Sequence, residues 1–309
     1  MFDSSSRALL RQAPDLPGLD PEALDELLTA AHIELSTIRL LAREGEPGAA
    51  SEVIDRVRRL ASTFEAYVAL DLRPEQTRAA AFVAASAHQV LGRIRESGTR
   101  RLTVVSSDTI SSTISATLLF LIADRAADAA EVAGQLRARG EPRAVRRSLI
   151  LSIRELATGN LGPLVERNLD EDRIVQDDSR EVAADLLLRE CARVVQALGH
   201  EARGQAELDI DIRGRLERVI RLSEATIVDI SHGVGGAAHF QFAGPHHLAS
   251  LLSRLIDGVQ EAMLVRIPAP SGANSEAWSG WLHSQAQSRP FLWINHLKAV
   301  RTGYLNGRL

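Results

Sequence analysis

Cysteine is nearly missing from this chain: Cys191 stands alone in 309 residues, so no disulfide can form within it and a reducing compartment is expected. Its neighbours alternate in an apolar helical pattern, which marks it as a small core residue and not a nucleophile. Aromatics make up only 4% of the residues, with alanine, leucine and arginine prominent instead, a mixture that favours closely packed helices over sheets. Lys298 is the only lysine. Long hydrophobic runs are absent too. The strongest, Ala116 to Ala123, is far short of the roughly 20 residues a membrane helix needs, and Met1 to Arg7 lacks the basic-then-apolar order of a secretion signal. A cytoplasmic location and no membrane partner are expected.

Charge excludes little. A net charge of −4 and a pI near 6.2 give no global reason to bind nucleic acid, although a local basic face can sit inside an acidic total. Hydrophobic residues at 45% and charged residues at 25% are ordinary globular usage, which excludes wholesale disorder.

What is present is helix after helix. Asp20 followed by Pro21 starts the first, because the carboxylate can accept an orphan N–H while proline occupies the first turn without losing a needed donor. Leu24, Leu27, Leu28, Ala31, Leu35, Ile38 and Ala42 then line one face. A second run carries Val53, Ile54, Val57, Leu60, Ala61, Phe64 and Val68. A third opens at Pro74 with Phe82, Val83, Ala87, Val90, Leu91 and Ile94, and its many alanines allow neighbours to approach closely.

Residues 102–105 could form a short strand, whereas Ser106, Ser107 and Asp108 predict the cap of one long helix running through Phe120 to Leu136. Pro142 starts another with Val145, Leu149, Ile153 and Leu156. Asp178 and Glu181 make a capping-box-like pair ahead of Ala184, Leu187, Leu188, Cys191, Val194, Val195 and Leu198. Breaks fall at Gly159 to Asp178, at Gly233 to Gly236 ahead of a helix opened by Pro245, and at Pro268 to Asn274. The expected fold is all-α, a multi-helix bundle or irregular array with at most a short strand or two. Its expected parts are a helical region over 1–158, a second over 178–267, and an aromatic-rich segment over 275–309.

Several chemistries are unsupported. There is no G-x-x-x-x-G-K-[ST] loop to hold nucleotide phosphates, which argues against autonomous ATP hydrolysis, and no G-x-S-x-G elbow for a serine nucleophile. Asp170-Glu171-Asp172 looks like a magnesium-binding box, but no buried apolar strand precedes it, so a solvated loop is expected. Asp229, His232, His239, His246 and His247 are the only suggestive ligand set. Their spacing is not that of a compact metal helix, and no resident metal is expected.

Two clusters remain. Arg137, Arg139, Arg143, Arg146 and Arg147 form the densest positive patch, able to touch nucleic-acid phosphates or an acidic partner, or else to pair with Glu131, Glu141 and Glu155. Trp278, Trp281, Phe291, Trp293 and Tyr304 gather near the end of the chain, where they can dock a partner or pack on the preceding helices.

The second cluster runs into Arg289-Pro290-Phe291-Leu292-Trp293-Ile294-Asn295-His296, followed by Leu297 to Leu305. That string resembles the segment just upstream of the first ATP-binding loop in superfamily-two helicases of the DEAD/DEAH-box type. Ala81 to His88, Leu119 to Glu131 and Ala243 to Leu252 look, more loosely, like segments in the helical N-terminal region of large bacterial members, some associated with phage defence. The resemblance implies that Trp293 and His296 lie beside the nucleotide base once a motor domain is present. It implies a helical accessory module, without catalysis of its own, that docks a motor domain in cis or trans and could guide DNA or RNA. ATP and Mg would then enter only through that partner. The alternative is a stand-alone helical protein–protein scaffold.

Overall fold

The computed structural model describes residues 21–44, 50–70, 73–98, 107–136, 138, 141–175, 179–205, 211–232 and 244–292. Among the described residues the architecture is all-α, apart from one isolated antiparallel bridge between Met263 and Phe291. The chain divides into two compact units, with the main division between Gln135 and Leu136.

The first unit holds α1 (Pro21–Glu44), α2 (Ala50–Val68), α3 (Pro74–Gly98), α4 (Ser107–Ile122) and α5 (Ala126–Ala133). The apolar stripes expected from the periodicity are its core: Leu24, Leu27, Ala31, Leu35 and Ile38 of α1 and Val57, Leu60, Ala61 and Phe64 of α2 are buried. Helix α3 is central, packing on α1, α2 and α4. Ala80, Ala81, Ala84, Ala85 and Ala87 are fully buried there, because a methyl side chain lets neighbouring backbones come close.

The single long helix expected from Ser107 to Leu136 is instead two. The break is at Asp124, whose φ of 57° is left-handed. Arg125 N–H donates to Phe120 O at 2.8 Å and Asp124 N–H to Leu121 O at 3.1 Å, which is a complete Schellman ending with aspartate where glycine is usual. Aspartate tolerates this conformation better than most residues. The possible strand at 102–105 lies outside the described residues.

The second unit holds α6 (Ala144–Thr158), α7 (Leu161–Glu166), α8 (Ser179–Ala202), α9 (Ile212–His232), α10 (Pro245–Ala262), a 3₁₀ turn (Leu264–Arg266) and α11 (Ser275–Ala286). Helix α8 is its spine, against which α6, α7, α9 and α10 pack. Cys191 is fully buried on it, and burial pushes the thiol up to about 12, consistent with an inert core residue.

The turn-rich stretch after Gly159 was expected to separate regions, yet α6 belongs with α8 in the same unit. The physical reason is a polar clamp. Arg189, Arg193 and Gln196 stand at four- and three-residue spacing on one stripe of α8. Arg189 donates to the Asp172 carbonyl and Arg193 pairs with Asp170. Gln196 Nε2 donates to the carbonyls of Leu164 at 3.1 Å and Arg167 at 2.7 Å. The acidic triplet Asp170-Glu171-Asp172 is thus a coil strapped to a helix.

Candidate functional site: the tryptophan corner

Helix α11 begins where its sequence says it should. Asn274 Oδ1 accepts the N–H groups of Glu276 and Ala277, both at 3.0 Å, an N-cap that satisfies two orphan donors. Beneath the helix, Leu264, Ile267, Leu282 and Ala286 form a small buried cluster, with Val265, Trp278 and Leu292 packed against it. Leu264 N–H donates to Pro290 O at 2.9 Å and Leu292 N–H to Ala262 O at 2.7 Å. These bonds turn the segment after α11 back onto the end of α10 and bury Phe291.

The corner is also tied to the end of α8. Gly204 has a φ of 70° and closes α8 with Gln205 N–H donating to His200 O at 2.9 Å. A side chain at 204 would collide with the His283 ring of α11, so glycine serves both the left-handed turn and the close approach. His283 Nδ1–H donates to Ser279 O at 2.7 Å, which orients that ring. Arg203 Nε and Nη2 donate to Gln287 Oε1 at 3.1 and 2.7 Å. Arg266 and Gln260 both reach Glu201.

On this rigid base stand two indoles. Trp278 and Trp281 lie with ring centroids 5.2 Å apart and planes tilted by 32°. Trp278 Nε1–H donates to Ile267 O at 3.0 Å, which fixes the inner ring. Trp281 is 51% exposed, with Ala277, Gly280 and Ser284 exposed around it. A large aromatic held by packing on one side and open on the other loses little entropy when a partner covers it.

The five sequence-predicted docking aromatics therefore divide. Among the described ones, Phe291 is internal, Trp278 is half-buried, and Trp281 is turned to solvent. Trp293, Tyr304 and His296 lie outside the described residues.

The arginine patch changes character. Arg143 pairs with Glu181, and its guanidinium lies 3.6 Å from Asp185. Arg146 donates to Glu181 at 3.0 Å and to Asp185 at 3.2 Å. Burial works against the charge on Arg143. The hydrogen bond to Glu181 and the nearby Asp185 and Glu181 carboxylates outweigh it and hold the group above its ordinary pKa. These two arginines join α6 to α8 and are no open basic surface. Two of the carboxylates expected to pair with the patch are engaged elsewhere: Glu155 with Arg167, at 2.7 and 2.6 Å, and Glu131, which lies 3.5 Å from Arg93. Of the expected carboxylates Glu141 does act on Arg143: it accepts that residue's backbone N–H at 3.0 Å, and its charge adds to those that hold the guanidinium's pKa up. Arg147 is exposed, and Arg137 and Arg139 lie outside the described residues.

Among the described residues no three histidine, cysteine or acidic side chains gather as a metal site would require. His239 and the side chains of Asp229 and His232 are outside that set. No described helix is long and apolar enough to cross a membrane.

Fold and site together define an all-α chain of two helical units with an anchored aromatic corner. No protein-family model matches it, and no curated protein or solved structure does either.

Proposed function

We propose that this chain is a non-catalytic helical docking module and that the Trp278–Trp281 corner is the face it offers a partner. The observation that carries the reading is the Trp281 indole, half open to solvent on a helix pinned by the Asn274 cap, the Gly204–His283 contact and the Arg203–Gln287 pair. Tryptophan, with tyrosine and arginine, is enriched among the residues that carry most of an interface's binding energy.

The resemblance of residues 289–305 to the segment before the first ATP-binding loop supplies the partner: a DEAD/DEAH-type motor domain, in cis or in trans, in the cytoplasm. ATP and Mg would be held by that domain. Guidance of DNA or RNA is the less supported part of the reading, since Arg143 and Arg146 are engaged with Glu181 and Asp185. A stand-alone scaffold would use the same corner.

The test is sedimentation of the full chain with a purified DEAD/DEAH-type motor domain. A complex weakened about tenfold or more in Trp281→Ala is expected, the loss typical of an interface anchor. A complex indifferent to Trp281→Ala removes the corner from the reading. No complex at all removes the motor domain and leaves the scaffold.

A further inference from the structure

The inner indole of the tryptophan corner already holds a proline-bearing segment of this chain. After the 3₁₀ turn the backbone runs through Ile267-Pro268-Ala269-Pro270, with Ile267 at φ −73° and ψ 120°. Those angles lie close to polyproline II, as a following proline favours. Trp278 Nε1–H donates to the Ile267 carbonyl at 3.0 Å, so the indole engages the peptide group that precedes Pro268. The Trp278 ring packs against the small buried cluster to which Ile267 belongs.

The outer indole carries the same two features, an apolar face and a ring N–H, and both are open. Trp281 follows Trp278 by three positions, about one turn along α11, with the ring centroids 5.2 Å apart. It is 51% exposed, and its Nε1–H has no hydrogen-bond partner among the described residues. The flank beside it is open as well: a side chain added at Gly280 would meet nothing within 4 Å. Trp281 therefore continues a surface whose other half is an interface already made within the chain.

Two requirements limit what can complete that surface. The face takes a flat apolar group, and the N–H at the ring edge takes an acceptor lying next to that group. A helical ligand offers side chains only, because its backbone carbonyls are bonded within the helix. An extended strand joins a sheet edge, and the described residues contain no sheet. A proline-rich segment meets both requirements. Its polyproline II backbone has no internal hydrogen bonds, so the carbonyl before each proline is free and the ring that follows is apolar. Its shape is largely set before binding, which keeps the ordering cost low.

We propose that Trp281 binds a proline-rich extended segment of a partner protein, its Nε1–H donating to the carbonyl before a proline whose ring lies on the indole. Trp278 with Ile267-Pro268 is the same contact made within the chain. The inference rests on the docking role given to the corner above and names the kind of segment the corner takes.

The experiment titrates the full chain into two fluorescein-labelled peptides, one a repeat of Ala-Pro-Pro and the other with serine in place of every proline, and follows anisotropy. The expected result is saturable binding of the proline peptide, with the serine peptide about tenfold weaker or more. Trp281→Ala should weaken the proline peptide about tenfold or more. Trp281→Phe, which keeps an apolar ring and deletes the donor, should weaken it several-fold. So should Gly280→Gln, which leaves both indoles and fills the open flank. These variants should melt no lower than the parent, since both positions are exposed. Equal binding of the two peptides, no saturable binding of the proline peptide, or indifference to Trp281→Phe overturns the proposal. A motor-domain complex that weakens in Trp281→Ala while the proline peptide neither binds nor competes keeps the docking face and overturns only the proline assignment. Proline-peptide binding through Trp281 with no motor-domain complex supports the assignment and removes the motor domain instead.

Discussion

The two units are built from the same element, and each combines a buried apolar core with polar pairs between helices, such as Arg56–Glu34 and His88–Glu65 in the first. In the first, α3 meets its neighbours through fully buried alanines, with Phe64, Leu118 and Leu119 around them. In the second, α8 meets α6 and the Arg167–Asp172 coil through arginines, carboxylates and one glutamine: Arg146–Asp185, Arg167–Glu155, Arg193–Asp170 and Gln196. Small apolar contacts fix how closely helices approach but say little about register. Directional charge-assisted bonds fix register at the expense of desolvating their partners. The second unit also carries the tryptophan corner.

The sharpest way to break this contrast is Asp185→Ala. Asp185 is 2% exposed, and its loss removes a carboxylate that pairs with the buried Arg146 at 3.2 Å. A loss of about 2 to 3 kcal/mol is expected, at or below the low end for a broken buried pair because Glu181 still faces the guanidinium. Urea unfolding followed by hydrogen exchange should place the loss on α6 and α8. Protection that falls evenly across the chain would mean that the clamp does not hold these helices in particular.

Next in size is Ala84→Leu in α3. Overpacking a fully buried methyl site should cost about 1 to 3 kcal/mol and appear as a lower melting temperature, with no change in its salt dependence. A neutral result would show that α3 is less tightly enclosed than its alanines indicate.

The smallest effect concerns Tyr67, whose buried hydroxyl has no hydrogen-bond partner among the described residues and whose pKa burial pushes up to about 12. The folded state holds this proton more tightly than the unfolded chain, whose tyrosine titrates near pH 10. Its share of stability is complete below about pH 10 and disappears as pH rises toward 12. Tyr67→Phe should be close to neutral at pH 7, because an unsatisfied hydroxyl contributes nothing, and should soften alkaline unfolding. Unchanged unfolding between pH 10 and 12 would show that Tyr67 does not govern that transition.

Much of the fold was legible in advance. The stripe from Leu24 to Ile38, the proline starts at Pro74 and Pro245 and the Pro268–Asn274 break reappear as expected, because helix periodicity and capping are local properties of the chain. The break at Asp124 was not visible, since aspartate is an uncommon residue for a left-handed helix end and the apolar pattern runs through it. The patch of Arg143 and Arg146 was misjudged for a related reason. A run of arginines reads the same whether it faces solvent or a pair of carboxylates thirty-odd positions away. A faint signal existed in Glu181 and Asp185, four apart and therefore on one face of α8. Likewise the spacing of Arg189, Arg193 and Gln196 marked a polar stripe on an otherwise apolar helix, but not the loop it would grip.

By itself the sequence determined that this protein is helical, where most of its helices begin, and which side chains go inside, because those depend on interactions within a few residues. Only the tertiary structure decided that the charged coil after Gly159 is a strap and no linker, that Arg143 and Arg146 are internal, and that Trp281 alone of its described companions stands open while Phe291 is covered. Those outcomes depend on which distant groups meet, and the energy of a charge or an indole is set by what surrounds it and not by its place in the chain.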